Sequence, residues 1–93
     1  MNDELSIHVS GTRINVSGEL TQANAQQLTA ALRIDTTEVD LAEVTFVDSA
    51  GLAALIGAKN LQPGIRIIHP SDNITRAIEL SGLAWIITPP KPS

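Results

Sequence analysis

The stretch that decides the fold is Val44-Thr45-Phe46-Val47-Asp48-Ser49-Ala50-Gly51-Leu52-Ala53-Ala54-Leu55-Ile56-Gly57-Ala58 (residues 44–58, VTFVDSAGLAALIGA). A run of strand formers stops at an acid and a hydroxyl, and an apolar stripe at helical spacing follows. From Gly51 to Asn60, Leu52, Leu55 and Ile56 repeat at i, i+3 and i+4, with small residues between them that let a helix lie close to a sheet. The corner Asp48-Ser49 supports two readings. In one, Asp48 caps the helix and Ser49 makes a local hydrogen bond in its first turn, stabilising the domain by about 1 kcal/mol. In the other, the hydroxyl stands where unpaired N–H groups and a positive dipole end tolerate an added phosphate. That phosphate would bring about −1.5 to −2 charges beside Asp48 and disturb anything docked there.

Outward from this corner, the chain reads as alternating elements. Leu5, Ile7 and Val9 alternate with polar residues, Ser10-Gly11-Thr12-Arg13 is a turn, and Ile14, Val16 and Gly18 continue a second strand, so the chain opens on a hairpin. Thr21 is placed to cap a helix that carries Ala25, Leu28 and Leu32 to about Arg33. Val39 and Leu41 mark a short strand, and Val44, Phe46 and Val47 are expected to pack beneath the end of the sheet. Gln62-Pro63-Gly64 ends the second helix and Ile65 to Ile68 is a buried strand. Ser71 caps a third helix that turns Ile74, Ala77 and Ile78 inward, and Gly82 suits its C-terminal cap. "AWII" (84–87) reads as a last strand, with Trp85 covering the end of the core. Arg76 and Glu79 are spaced for an exposed i, i+3 pair. The order β-β-α-β-α-β-α-β predicts one α/β domain over residues 1–93: a mixed sheet with parallel central pairs, packed with three or four helices. Its core spans about residues 5–87, and the proline-rich residues 88–93 form a frayed tail.

Composition narrows the function. Of 93 residues, 43% are hydrophobic and only 2% aromatic, so the core must be aliphatic and bases have little to stack on. The net charge is −4 with no concentration of Lys or Arg, which argues against nucleic acid and anionic membranes as partners. No cysteine is present, which removes thiol catalysis and thiolate metal sites. Asn2-Asp3-Glu4 is unlike a basic leader and no apolar run reaches membrane-spanning length, so a cytoplasmic address without membrane insertion is expected. His8 and His69 stand apart and read as core or rim residues; no metal or cofactor site is expected. "GLAALIGAKN" has the wrong spacing for a phosphate loop, with Asn60 where a hydroxyl would hold magnesium. The sequons at Asn15 and Asn73 carry no meaning without secretion. No base, nucleophile and orienting group come together, so no enzyme is expected.

Three blocks in order, "INVSGELTQANAQQL", "VDLAEVTFVDSAGLAALIGA" and "IRIIHPSDNITRAIELSGL", resemble the STAS domain, the fold of anti-sigma factor antagonists and of cytoplasmic modules of sulfate transporters. The resemblance runs from about Ile7 to Ile87. It implies a non-catalytic regulator in which Ser49 is phosphorylated by an anti-sigma factor that is also a serine kinase of the histidine-kinase-like ATPase class. The unphosphorylated form would bind that kinase, and a phosphatase would reset the phosphorylated one. It also implies that Asp48, Ser49, Ala50, Gly51 and Leu52 share a partner-binding corner with Gly18, Glu19, Leu20 and Thr21. Many members carry an acid where this chain has Thr21 and a second hydroxyl where it has Ala50, leaving Ser49 the sole acceptor; the helix after the corner also reads as short. The same resemblance extends to stand-alone STAS subunits of outer-membrane lipid-transport systems, which share the "SGEL" block. In these the hydroxyl corner contacts an ABC transporter ATPase without phosphorylation. A module of a stress-sensing assembly and a small-ligand domain are further readings.

Overall fold

A computed structural model describes residues 5–87. The chain opens with β1 (Leu5–Ser10) and β2 (Arg13–Leu20), joined at Gly11 and Thr12. Gly11, at φ 61°, supplies the positive φ that the first central position of a tight hairpin turn demands. Then follow α1 (Ala25–Ala31), β3 (Glu38–Val47), α2 (Ser49–Leu61), β4 (Arg66–Ile68) and α3 (Asp72–Leu80). The sheet runs β1-β2-β3-β4, antiparallel in its first pair and parallel in the other two, as the reading of a hairpin followed by crossovers requires.

One aliphatic cluster holds the layers together. Ile14, Val16 and Leu20 of β2, Val39, Leu41 and Val44 of β3, Leu28, Leu55, Ile78 and Ile86 all lie in it, nearly inaccessible. Each fully buried side chain of this kind contributes roughly 1.5–3 kcal/mol relative to exposure. Helix α3 ends as expected: Gly82, at φ 76°, lets its N–H reach the Glu79 carbonyl at 3.0 Å and the Leu83 N–H reach the Ile78 carbonyl at 3.0 Å. Ser71 caps the other end, accepting from the Ile74 N–H at 3.3 Å.

Several expectations are corrected. The final strand does not form: Ala84–Ile86 is a single 3₁₀ turn, which buries Ile86 and leaves Trp85 half exposed. The glycine-capped turn at residues 81–83 delivers the chain to the core's end rather than to a sheet edge. Helix α2 starts at Ser49 and has 13 residues, so it is not short. Helix α1 starts at Ala25, because Asn24 holds Thr21 in a turn before it. Arg76 and Glu79, both exposed, form no ion pair with each other among the described residues. Phe46 is 49% exposed, not packed beneath the sheet. The reason lies in the pairing of β3 with β2, where Asn15, Ser17, Gly18 and Glu19 face Asp40, Glu43, Val44 and Phe46. Residue 16 and two bulges intervene, so the buried positions fall at Leu41, Val44 and Val47, three apart, and Phe46 turns outward beside Glu19. The tail residues 88–93 lie outside the described residues.

Candidate functional site

The corner at Asp48 is built by three segments: the end of β2, the turn that follows it, and the start of α2. Asp48 is the pin. Its own N–H donates to the Leu20 carbonyl at 3.2 Å. Its Oδ1 accepts from the Gly51 N–H at 2.8 Å, the cap expected of it, and its Oδ2 accepts from the Gln22 N–H at 3.0 Å. One carboxylate therefore satisfies a helix-start donor and clamps the β2–α1 turn to the same helix. The Gly51 and Gln22 N–H groups hold the Asp48 carboxyl below the usual carboxylate range, so it is ionised at neutral pH.

Gly51 fixes the depth of the corner. A Cβ there would collide with the Leu20 carbonyl oxygen and lie 2.7 Å from Cγ2 of Val47. Only glycine lets α2 approach β2 and β3 this closely. Leu20, Gly51 and Leu52 are buried, and Gly18, at φ 99°, lies in β2 where the strand's register shifts. Ala50 is half-buried. These residues shape the corner, while what it shows to solvent is Ser49, with Glu19 and Thr21 partly exposed.

Ser49 occupies the first position of α2, is exposed, and its hydroxyl makes no hydrogen bond among the described residues. The expected local hydrogen bond is absent because Asp48 already does the capping. The hydroxyl thus stands beside an ionised carboxylate, open to a visitor.

The structure adds residues that the sequence reading passed over. Asn24, 5% exposed, accepts the Thr21 N–H on Oδ1 at 2.9 Å and donates from Nδ2 to the Glu19 carbonyl at 2.8 Å, which fixes the turn. The bond runs from the Thr21 N–H to a side chain three residues later, as in a capping box with Asn in place of Glu or Gln, but the burial of Asn24 is not visible from sequence. Phe46, Gln22 and Ala23 join Glu19, Thr21 and Asp48 around an open groove of about 630 Å³ next to Ser49. An exposed aromatic beside acids and a hydroxyl suits recognition of a protein surface.

A second polar cluster lies across the strands' opposite ends. Arg13 pairs with Glu38 at 2.9 Å and with Asp40 at 3.5 Å, and His69 Nδ1 lies 3.0 Å from Asp40 Oδ2. Burial pushes the Asp40 carboxyl up, but the Ala42 N–H, His69 and Arg13 outweigh it and hold it below its usual value. His69 has φ 59°, and with Asp40 it sets the turn between β4 and α3. His8 is exposed on β1. Among the described residues no three metal-ligating side chains gather, and no helix is long and apolar enough to cross a membrane.

Comparison with known proteins places this geometry in context. A family model described as "Mlab, STAS domain" matches residues 4–88. Anti-sigma-B factor antagonists of Listeria monocytogenes and Listeria innocua are each 31% identical to this chain, over 80% of it and 74% of their own length. Among solved structures, the anti-sigma factor antagonist SpoIIAA in its unphosphorylated form superposes with a TM-score of 0.59 at 15% identity, covering 83% of each chain. The Bacillus SpoIIAA in its phosphorylated form gives 0.56 at 18% identity, covering 95% of this chain and 92% of the other. At these identities the solved structures establish the shared fold.

Proposed function

The chain belongs to the STAS domain family, and from that premise we propose that it is a non-catalytic docking module of the cytoplasm. It binds an ATPase-class partner through the Ser49 corner, and phosphorylation of Ser49 switches that binding off. One observation carries the reading. Ser49 presents an exposed hydroxyl with no internal partner, one residue after a carboxylate locked in place by two backbone N–H groups. A phosphate on Ser49 would leave every hydrogen bond of the corner intact. It would also put a second negative charge next to Asp48, at the rim of the groove that Phe46 lines. The fold survives and the docked partner is expelled.

The likeness to anti-sigma-B factor antagonists supports an anti-sigma factor with serine-kinase activity as the partner, with a phosphatase to restore the hydroxyl. The test is to mix wild-type, Ser49→Ala and Ser49→Asp proteins with such a kinase and ATP, then read complex formation and intact mass. Wild type should bind, gain one phosphate and dissociate; Ser49→Ala should bind and keep its mass; Ser49→Asp should not bind. A Ser49→Asp protein that binds as tightly as wild type would sink the switch.

A second reading is an accessory subunit of a lipid-transport ABC transporter. The Ser17-Gly18-Glu19-Leu20 block and a family model described as Mlab, not as an antagonist, favour it. So do Thr21 and Ala50, which depart from the antagonist pattern. Here the same corner would hold the transporter's ATPase, Ser49→Ala would weaken assembly, and ATP would leave the mass unchanged.

A further inference from the structure

The sheet has edges of unequal protection. Strand β4 is three residues long and begins at the exposed Arg66. Beyond Asp40, β3 has no partner on its β4 side among the described residues, but there Asp40 Oδ1 takes the Ala42 N–H at 2.8 Å, Glu43 is exposed, and the bulges twist the strand. Charge, shortness and bulges are the devices that keep sheet edges from pairing with other chains. Strand β1 has none of them. Leu5-Ser6-Ile7-His8-Val9-Ser10 contains no Asp, Glu, Lys, Arg or Pro, and it pairs with β2 in unbroken register over all six residues.

The direction of its backbone groups follows from the turn. Ser10 and Arg13 flank a two-residue loop, so they form a hydrogen-bonded pair, as do His8 with Asn15 and Ser6 with Ser17. The N–H and C=O groups of Leu5, Ile7 and Val9 consequently point away from β2, along an edge that no other strand covers among the described residues. Their side chains lie opposite Gly18, Val16 and Ile14, on the core face. Val9 remains 42% exposed there, at the margin of the aliphatic cluster.

We propose that β1 pairs antiparallel with β1 of a second copy of this chain, continuing the sheet through a twofold axis at Ile7. In this register Leu5 of each copy faces Val9 of the other and Ile7 faces itself, so apolar residues stay on the core face. Ser6 and His8 face each other on the polar face, and all the outward backbone groups find partners. The strand is self-complementary, and its lack of charge removes the repulsion that two copies of net charge −4 meet elsewhere. A single strand pair buries less than the roughly 1,200–2,000 Å² of a stable interface, so the dimer forms reversibly and at high concentration. It leaves both Ser49 corners open and yields a bivalent assembly, although nothing in the inference depends on the role of Ser49.

Sedimentation equilibrium of the intact chain over a wide concentration range tests this, together with amide hydrogen exchange at both ends of the range. The mass should rise from monomer towards dimer. Exchange at Ile7 and Val9 should slow as concentration rises, while Ser6, His8 and Ser10, already bonded to β2, stay protected throughout. Val9→Pro, which removes an outward donor but no bond to β2, should weaken association by about tenfold or more. Ser6→Lys, on the exposed face, should weaken it without touching the core. A monomer at every concentration overturns the proposal. So does a dimer in which Ile7 and Val9 exchange as fast as in the monomer, since pairing would then lie elsewhere.

Discussion

Replacing Gly51 with alanine tests the close approach on which the corner depends. The added methyl meets the Leu20 carbonyl oxygen, which is backbone, and comes within 2.7 Å of Val47 Cγ2 and 3.0 Å of Leu20 Cγ. The carbonyl cannot rotate away, because it also accepts the Asp48 N–H at 3.2 Å. Strand and helix must move apart. Overpacking costs about 1–3 kcal/mol, and a backbone clash belongs at the upper end. Alanine returns less than about 1 kcal/mol through its better helix propensity. The net effect is a loss of about 2 kcal/mol, which for a domain of this size lowers Tm by about 8–16 °C. Gly57→Ala is the control. It lies in the same helix, makes the same change to the unfolded chain, and has nothing within 4 Å of the new methyl. It should gain about 0.5–1 kcal/mol and raise Tm by a few degrees. Thermal and urea denaturation followed by circular dichroism would measure both. If Gly51→Ala melts at or above the wild-type temperature, or if the two variants shift in the same direction, the close-packing argument is wrong.

Three further outcomes follow from the same geometry. Phe46→Ala should cost about 1 kcal/mol of stability, since only half the ring is buried, yet weaken partner binding about 30-fold or more if the ring anchors the docking groove, as isothermal titration would show. The Asp48 carboxyl has its pKa lowered by folding, so its stabilisation is complete above the unfolded value of about 3.9 and disappears as pH falls through the folded value. Asp48→Asn keeps a capping oxygen but no titration, so wild type should be the more stable at neutral pH and the two should converge in urea titrations as pH falls through the lowered folded value. Ser71→Ala removes the acceptor for the Ile74 N–H and should destabilise the domain by about 1 kcal/mol, without changing association through the Ser49 corner.

Much of the site could be read directly from residue order. Asp48 as cap, Ser49 in the first turn of α2, and the small residues that let the helix approach the sheet are local features, set by hydrogen-bond donors and side-chain size within a few positions. Ser71 and Gly82 were legible for the same reason, as was the hairpin at Gly11. The misreadings concern side chains whose direction depends on a distant strand. Period-2 alternation cannot say which way Phe46 points, because the bulges that reverse it arise only when β3 is laid against β2. Trp85 and Ile86 are neighbours of equal appeal for burial, and the turn at Gly82 chooses between them.

Sequence alone determined the order of elements as far as α3, the aliphatic core and the acid-hydroxyl-glycine corner, since propensity, capping and periodicity act over a single turn or strand. Tertiary structure decided the rest: that Asp48 reaches across to the Gln22 N–H, that Asn24 is buried beneath the turn, and that the uncharged β1 stands at an edge of the sheet which no other strand covers among the described residues. The first joins groups 26 residues apart, the second makes local bonds whose burial depends on what packs over the turn, and the third follows from the strand order; all three need the elements packed together before they exist.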